Sequence, residues 1–163
     1  MNAEITTWAQ RLGELLQQRN WMATTAESCT GGGVAYAITE IAGSSLWFDR
    51  SVVTYTNQAK EALLGVSSQL LQSHGAVSQA VVEAMACGAL KRADAQLSVA
   101  ISGIAGPGGG SEEKPVGLVW FAWATAGEVP TLKSQSFLFS GDRHSVRVQA
   151  ILTALQGMCK LIQ

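Results

Sequence analysis

Apolar residues near the start of the chain recur at helical spacing. Ile5, Trp8, Leu12, Leu15 and Leu16 share one face, which predicts an amphipathic first helix. Residues 21–27 then carry Met22, Thr24, Thr25 and Ala26, a short strand ending at Ser28. Thr30 and three glycines separate it from Val34, Ala37, Ile38 and Ile41, again at helical spacing, with Gly43 as the stop. Residues 51–55 are rich in β-branched and aromatic side chains and predict a strand. Asn57 caps the short helix expected next, Gly65 closes it, and a second short helix is expected over 68–73.

Ser78 is the expected N-cap of a helix that presents Val81, Val82, Met85 and Leu90. Residues 97–102 are short, almost wholly apolar and followed by glycines, the pattern of a buried strand. Residues 116–125 and 132–139 read as paired strands with a turn near Gly127. A final helix after Ser140-Gly141-Asp142 is expected to bury Val148, Ile151, Leu152, Leu155 and Ile162. Helices and strands alternate and then give way to a hairpin, so the class is α/β, a mixed sheet with helices on both faces. No repeat or linker divides the chain, and residues 1–163 are expected to form one domain.

Composition narrows the chemistry. A net charge of −1 with both signs scattered gives no basic surface for nucleic acid. No apolar run is long enough to span a bilayer, and the first residues lack the form of a signal peptide, so a cytoplasmic protein without membrane contact is expected. Cys29, Cys87 and Cys159 are too dispersed for a disulfide framework or a zinc site, and His74 and His144 have no clustered acidic partners. No metal or other cofactor is expected.

The sharpest local feature is a strand, then Glu27-Ser28-Cys29-Thr30, then glycines, then a helix. A nucleophile there stands at the sheet edge, with the free N–H groups of the first helical turn facing a bound phosphate or oxyanion. The same pattern also suits a plain helix cap, and it is not the GxSxG elbow. A second feature, residues 102–111, is a glycine-rich loop after a buried strand, where α/β folds bind ligands. It matches neither a P-loop nor the dinucleotide fingerprint. Ser111 and Lys114 have S-x-x-K spacing, but Pro115 keeps Lys114 out of a helix, so Lys114 reads as a loop residue near the ligand. Tyr55 at a strand end and Lys60 about one helical turn into the next segment can project from the same edge as Ser28, although Lys60 taken alone reads as a solvated helix residue. Arg143 and Arg147 lie one turn apart at the start of the last helix, where a cation opposes the helix dipole unless an anion is near. With no histidine placed for a triad, serine chemistry here needs a lysine or tyrosine base. Cys29 is the rival nucleophile.

Six motifs in order complete the picture: TAESCTGG (25–32), AGSSLWF (42–48), VTYTNQAK (53–60), HGAVS (74–78), SGIAGPGGGSEEKPVG (102–117) and SGDR (140–143). Together they closely resemble the nicotinamide-nucleotide amidohydrolases of the PncC type, relatives of the CinA C-terminal domain, in their stand-alone form. The resemblance implies a three-layer α/β/α fold and a homodimer. It also implies hydrolysis of the carboxamide of nicotinamide mononucleotide in pyridine-nucleotide recycling. The implied nucleophile is Ser28, with Lys60 as base and Tyr55 and Arg143 in support; Arg147 is close enough to exchange roles with Arg143. Glu27, Cys29, Thr30, Gly31, Gly103, Ala105, Gly106 and Lys114 are the candidate substrate contacts. Arg143 is left with two possible tasks, tuning Lys60 or holding the substrate phosphate.

Overall fold

The computed structural model describes residues 2–163. The Asn2 side chain accepts from Glu4 N and starts α1 (Ala3–Arg19), which ends where Asn20 turns left-handed at φ 52°. β1 (Ala23–Glu27), α2 (Gly33–Thr39) and a 3-10 turn at Ser44–Leu46 lead to β2 (Phe48–Val53). Then come α3 (Asn57–Leu64), α4 (Ser68–His74) and α5 (Gln79–Arg92). β3 (Leu97–Gly103), β4 (Leu118–Thr125), β5 (Leu132–Leu138) and α6 (Arg143–Ile162) complete the chain.

The five strands form one sheet in the order β2-β1-β3-β4-β5. β1 runs parallel to both neighbours, and β3, β4 and β5 are antiparallel in succession, giving the mixed sheet expected. One face buries Leu12, Leu16, Ile38, Leu97, Phe121, Leu155 and Met158 beneath α1, α2 and α6. The other packs Ala26, Ala100 and Ala122 against Leu64, Val82 and Met85 of α3 and α5. This is the three-layer arrangement.

Trp47, Phe121 and Trp123 are core. Trp47 is fully buried against Gly13, Phe121 stacks on Trp123 at 5.4 Å, and Trp123 Nε1 donates to Ala154 O at 3.0 Å. No helix is long and apolar enough to cross a membrane, among the described residues.

Three local expectations need correction. β2 begins at Phe48 and stops at Val53, because its register with β1 runs from Ala23↔Phe48 to Glu27↔Val53; Tyr55 lies beyond it. Thr56, not Asn57, caps α3, its hydroxyl accepting from Ala59 N at 3.1 Å. In α6 the fully covered positions are Val146, Ala150, Ala154, Leu155, Met158 and Cys159, whereas Val148, Ile151 and Leu152 are only half-buried. The alanines let α6 approach both α1 and the sheet.

Where α3 meets α5, a Cβ on Gly88 would fall on the Leu64 carbonyl oxygen, a backbone atom that cannot swing aside. Gly88→Ala is expected to destabilise the fold by about 1–3 kcal/mol through overpacking, despite alanine's better helix propensity. The shift in urea midpoint measures it.

Candidate active site

The carboxyl ends of β1 and β3 lie side by side, and the chain leaves each through a small polar residue and then glycines. Ser28 follows Glu27 at the end of β1, its N–H donating to Ile101 O at 3.0 Å. Gly31 N donates back to Ser28 O at 3.0 Å, and Gly32, at φ 91°, turns the chain into α2 as few side chains permit. Beyond β2, Thr54 N donates to Glu27 O at 2.8 Å, and the chain turns through Tyr55 and Thr56 into α3. The first turn of α3 carries Lys60 inward.

Lys60 is 1% exposed. Its Nζ lies 3.2 Å from Ser28 Oγ and donates to Thr54 O at 2.7 Å. No carboxylate pairs with it: the ion pairs among the described residues are Arg11–Glu14 and Arg50–Asp49. Burial therefore pushes the Lys60 amine below the ordinary lysine range, toward the neutral form a general base requires. Burial also pushes the Cys29 thiol up, to about 12, so Cys29 is no thiolate nucleophile near neutral pH.

Ser28 and Lys60 form the floor of a cleft of about 270 Å³. Cys29, Ser102, Gly103, Ala105 and Gly106 line it near the dyad. Its mouth is formed by Tyr55, Ala76, Val77, Gly108, Gly109 and Arg143, and Tyr55 is 58% exposed there. Arg143 spans the mouth, one amino group donating to Gly106 O and the other to Tyr55 Oη, both at 2.8 Å. Larger hollows of about 450 and 590 Å³ lie between β5 and α6 and beside the start of α2, away from this pair.

Four of the twelve expected site residues stand outside the cleft. Glu27 points to the opposite face of β1, as alternation along a strand dictates, and accepts from Gly32 N, Val34 N and Ala35 N. It fills the start of α2, so those N–H groups are not free for substrate. Thr30 donates its hydroxyl to the same carboxylate at 2.7 Å, and Gly31 has spent its N–H on Ser28. Lys114 donates to His74 O at 2.6 Å, capping the last turn of α4. Arg147 supports the Ser28 turn from behind, donating to Thr30 O at 3.1 Å, so the arginine at the cleft is Arg143.

The sequence places Ser102 at the head of the glycine-rich loop but does not single it out as a site residue. It ends β3 beside Ser28, is 1% exposed and lines the cleft. The signal was a polar residue closing an otherwise apolar strand, but its neighbour became visible only with the register Glu27↔Ile101.

Residues 5–162 match the CinA C-terminal domain. The chain belongs to that family. It is 56% identical over 158 residues to the nicotinamide-nucleotide amidohydrolase PncC of Escherichia coli K12, covering 96% of this chain and 94% of the relative. Identity to the PncC of Pseudomonas putida is 52% over 157 residues, 96% of each chain. The crystal structure of the competence/damage inducible protein CihA of Agrobacterium tumefaciens superposes with a TM-score of 0.97 at 43% identity, over 100% of this chain and 98% of that one.

The buried amine makes stability pH-dependent. Its pKa is lower in the folded chain than in the unfolded one, so the unfolded state binds the extra proton first as pH falls below about 10.4. Folded wild type loses stability across that window, down to the folded pKa, and Lys60→Met does not. The difference in melting temperature, variant minus wild type, should therefore grow more positive as pH is lowered from about 10.4 toward neutrality.

Proposed function

We propose that this chain is a nicotinamide-nucleotide amidohydrolase. It hydrolyses the carboxamide of nicotinamide mononucleotide to nicotinic acid mononucleotide and ammonia. The observation that carries the chemistry is the Lys60 amine, buried without an acid partner, 3.2 Å from Ser28 Oγ at a cleft floor. The names of the PncC relatives supply the substrate class. Residues 1–163 act as one domain holding the whole site, working as a homodimer in the cytoplasm.

Neutral Lys60, held by the Thr54 carbonyl, accepts the Ser28 proton as Oγ attacks the carboxamide carbon. The protonated amine returns that proton to the departing nitrogen, ammonia leaves, and an ester to Ser28 remains. Water then attacks the ester with Lys60 again as base, freeing the acid and restoring the serine. The pyridinium ring withdraws electrons from the carbonyl, which eases both attacks. Backbone N–H groups at Cys29, Ala105 and Gly106, which line the cleft, are the donors for the oxyanion; that of Ile104 is already given to Leu118 O.

Depth in the cleft orders the substrate. The carboxamide must reach the floor, which leaves ribose and phosphate toward the mouth, where Arg143 presents its remaining N–H groups and Tyr55 braces it. Arg143 is read as the phosphate partner and not as a regulator of Lys60, because burial alone accounts for the lowered lysine.

Ser28→Ala should lower ammonia release from nicotinamide mononucleotide by at least about 10³-fold, while Cys29→Ala keeps most of it. Loss of activity in Cys29→Ala alone would move the nucleophile. In wild type, kcat/KM should rise with pH along a limb centred below the ordinary lysine value of about 10.4.

Arg143→Ala should raise KM for the mononucleotide by roughly tenfold or more and leave turnover of the phosphate-free riboside near its wild-type level. Equal losses on both substrates would place Arg143 in the chemistry.

A further inference from the structure

Glu27 is a fully buried carboxylate that the mechanism above leaves unused. No cation pairs with it, among the described residues. Its charge is instead met by donors that converge from one short stretch of chain. Oε2 accepts from the Thr30 hydroxyl at 2.7 Å, Gly32 N at 3.0 Å and Val34 N at 3.1 Å. Oε1 accepts from Ala35 N at 2.9 Å, and more distantly from the hydroxyls of Thr25 at 3.3 Å and Ser51 at 3.4 Å.

Residues 28–32 therefore loop from Glu27's own backbone around to its side chain. Ser28 sits inside that loop with its side chain on the other face of β1, toward Lys60. A group that only accepts is required, since both oxygens receive N–H donors that cannot turn away. An amide at this position would set its NH₂ against either Ala35 N–H or the pair at Gly32 and Val34.

We propose that Glu27 is a positioning residue for Ser28. Its carboxylate holds the turn of residues 28–32 in the shape that aims the Ser28 hydroxyl at Lys60, and it closes the start of α2 to the substrate phosphate. The inference rests on Ser28 being the nucleophile of the proposed reaction. A displacement of the hydroxyl by an ångström is enough to slow attack strongly while the rest of the cleft still binds ligand.

The test reads Ser28 without its substrate. A small fluorophosphonate forms a P–O bond to Ser28 Oγ and releases fluoride, Lys60 taking the proton, and peptide mass spectrometry follows the labelled site. Glu27→Gln is expected to label more than about tenfold slower than wild type, while the Kd for nicotinamide mononucleotide changes by less than about threefold. Thr30→Val removes only the 2.7 Å hydroxyl contact and leaves the charge; it should slow labelling in the same direction, and it decides the matter if Glu27→Gln does not fold. Labelling at the wild-type rate in the folded variants overturns the inference. So does a slowing matched by an equal loss of nucleotide binding, which marks general damage. A wild-type Ser28 that the probe never labels sinks the nucleophile itself; labelled wild type with unaffected variants sinks only the role of Glu27.

Discussion

A buried amine with no acid beside it is disfavoured as a cation, and that constraint organises the site. Lys60 is anchored by one carbonyl, Thr54 O, and the serine hydroxyl is its other polar neighbour. Much of the surrounding structure serves to keep it dry and aimed. α3 is capped by Thr56, closed by Gly65, and drawn onto α5 where Gly88 leaves room for the Leu64 carbonyl. Arg92 secures the same junction by donating to Leu64 O at 3.0 Å. The helix that delivers the lysine is thus held at both ends, without any charge that would keep the amine protonated.

β1 divides the labour between the two faces of the sheet. Ala26 and Ser28 face the layer of α3 and α5, where apolar packing excludes water from the amine. Thr25 and Glu27 face the layer of α2 and α6, where hydroxyls and amides satisfy the carboxylate. Glu27 and Ser28 are adjacent in sequence yet on opposite sides of the strand. The carboxylate is satisfied in one layer, and the amine beside Ser28 stays unpaired in the other.

Much of this was legible in the residues. The order of elements followed from periodicity, the glycine stops and the Ser78 cap; a strand end and the next helical turn brought Ser28 and Lys60 to one edge, but their pairing as nucleophile and base came only from the resemblance of the motifs. Boundaries were less legible where pairing decided them: Phe48 joins β2 because β1 offers it a ladder, not because its neighbours are β-formers. The direction of Glu27 was also misjudged. Period-two alternation puts it opposite Ser28, and a carboxylate just before a glycine turn and a helix is itself a capping signal. Lys114 could not be placed from sequence, since its partner is a backbone carbonyl 40 residues away. Ser102 needed the strand register before it could be set beside Ser28.

Most of the rim of the cleft comes from other parts of the chain than its floor; Tyr55, just ahead of α3, is the exception. Ala76 and Val77 lie between α4 and α5, Gly108 and Gly109 lie on the arm after β3, and Arg143 opens α6, whereas the dyad stands on β1 and α3. On the proposed reading, bond-breaking and most of the ligand choice are therefore inherited on different segments. A lineage could change which nucleotide enters by altering a few rim positions, with the nucleophile and its base passing through the change intact.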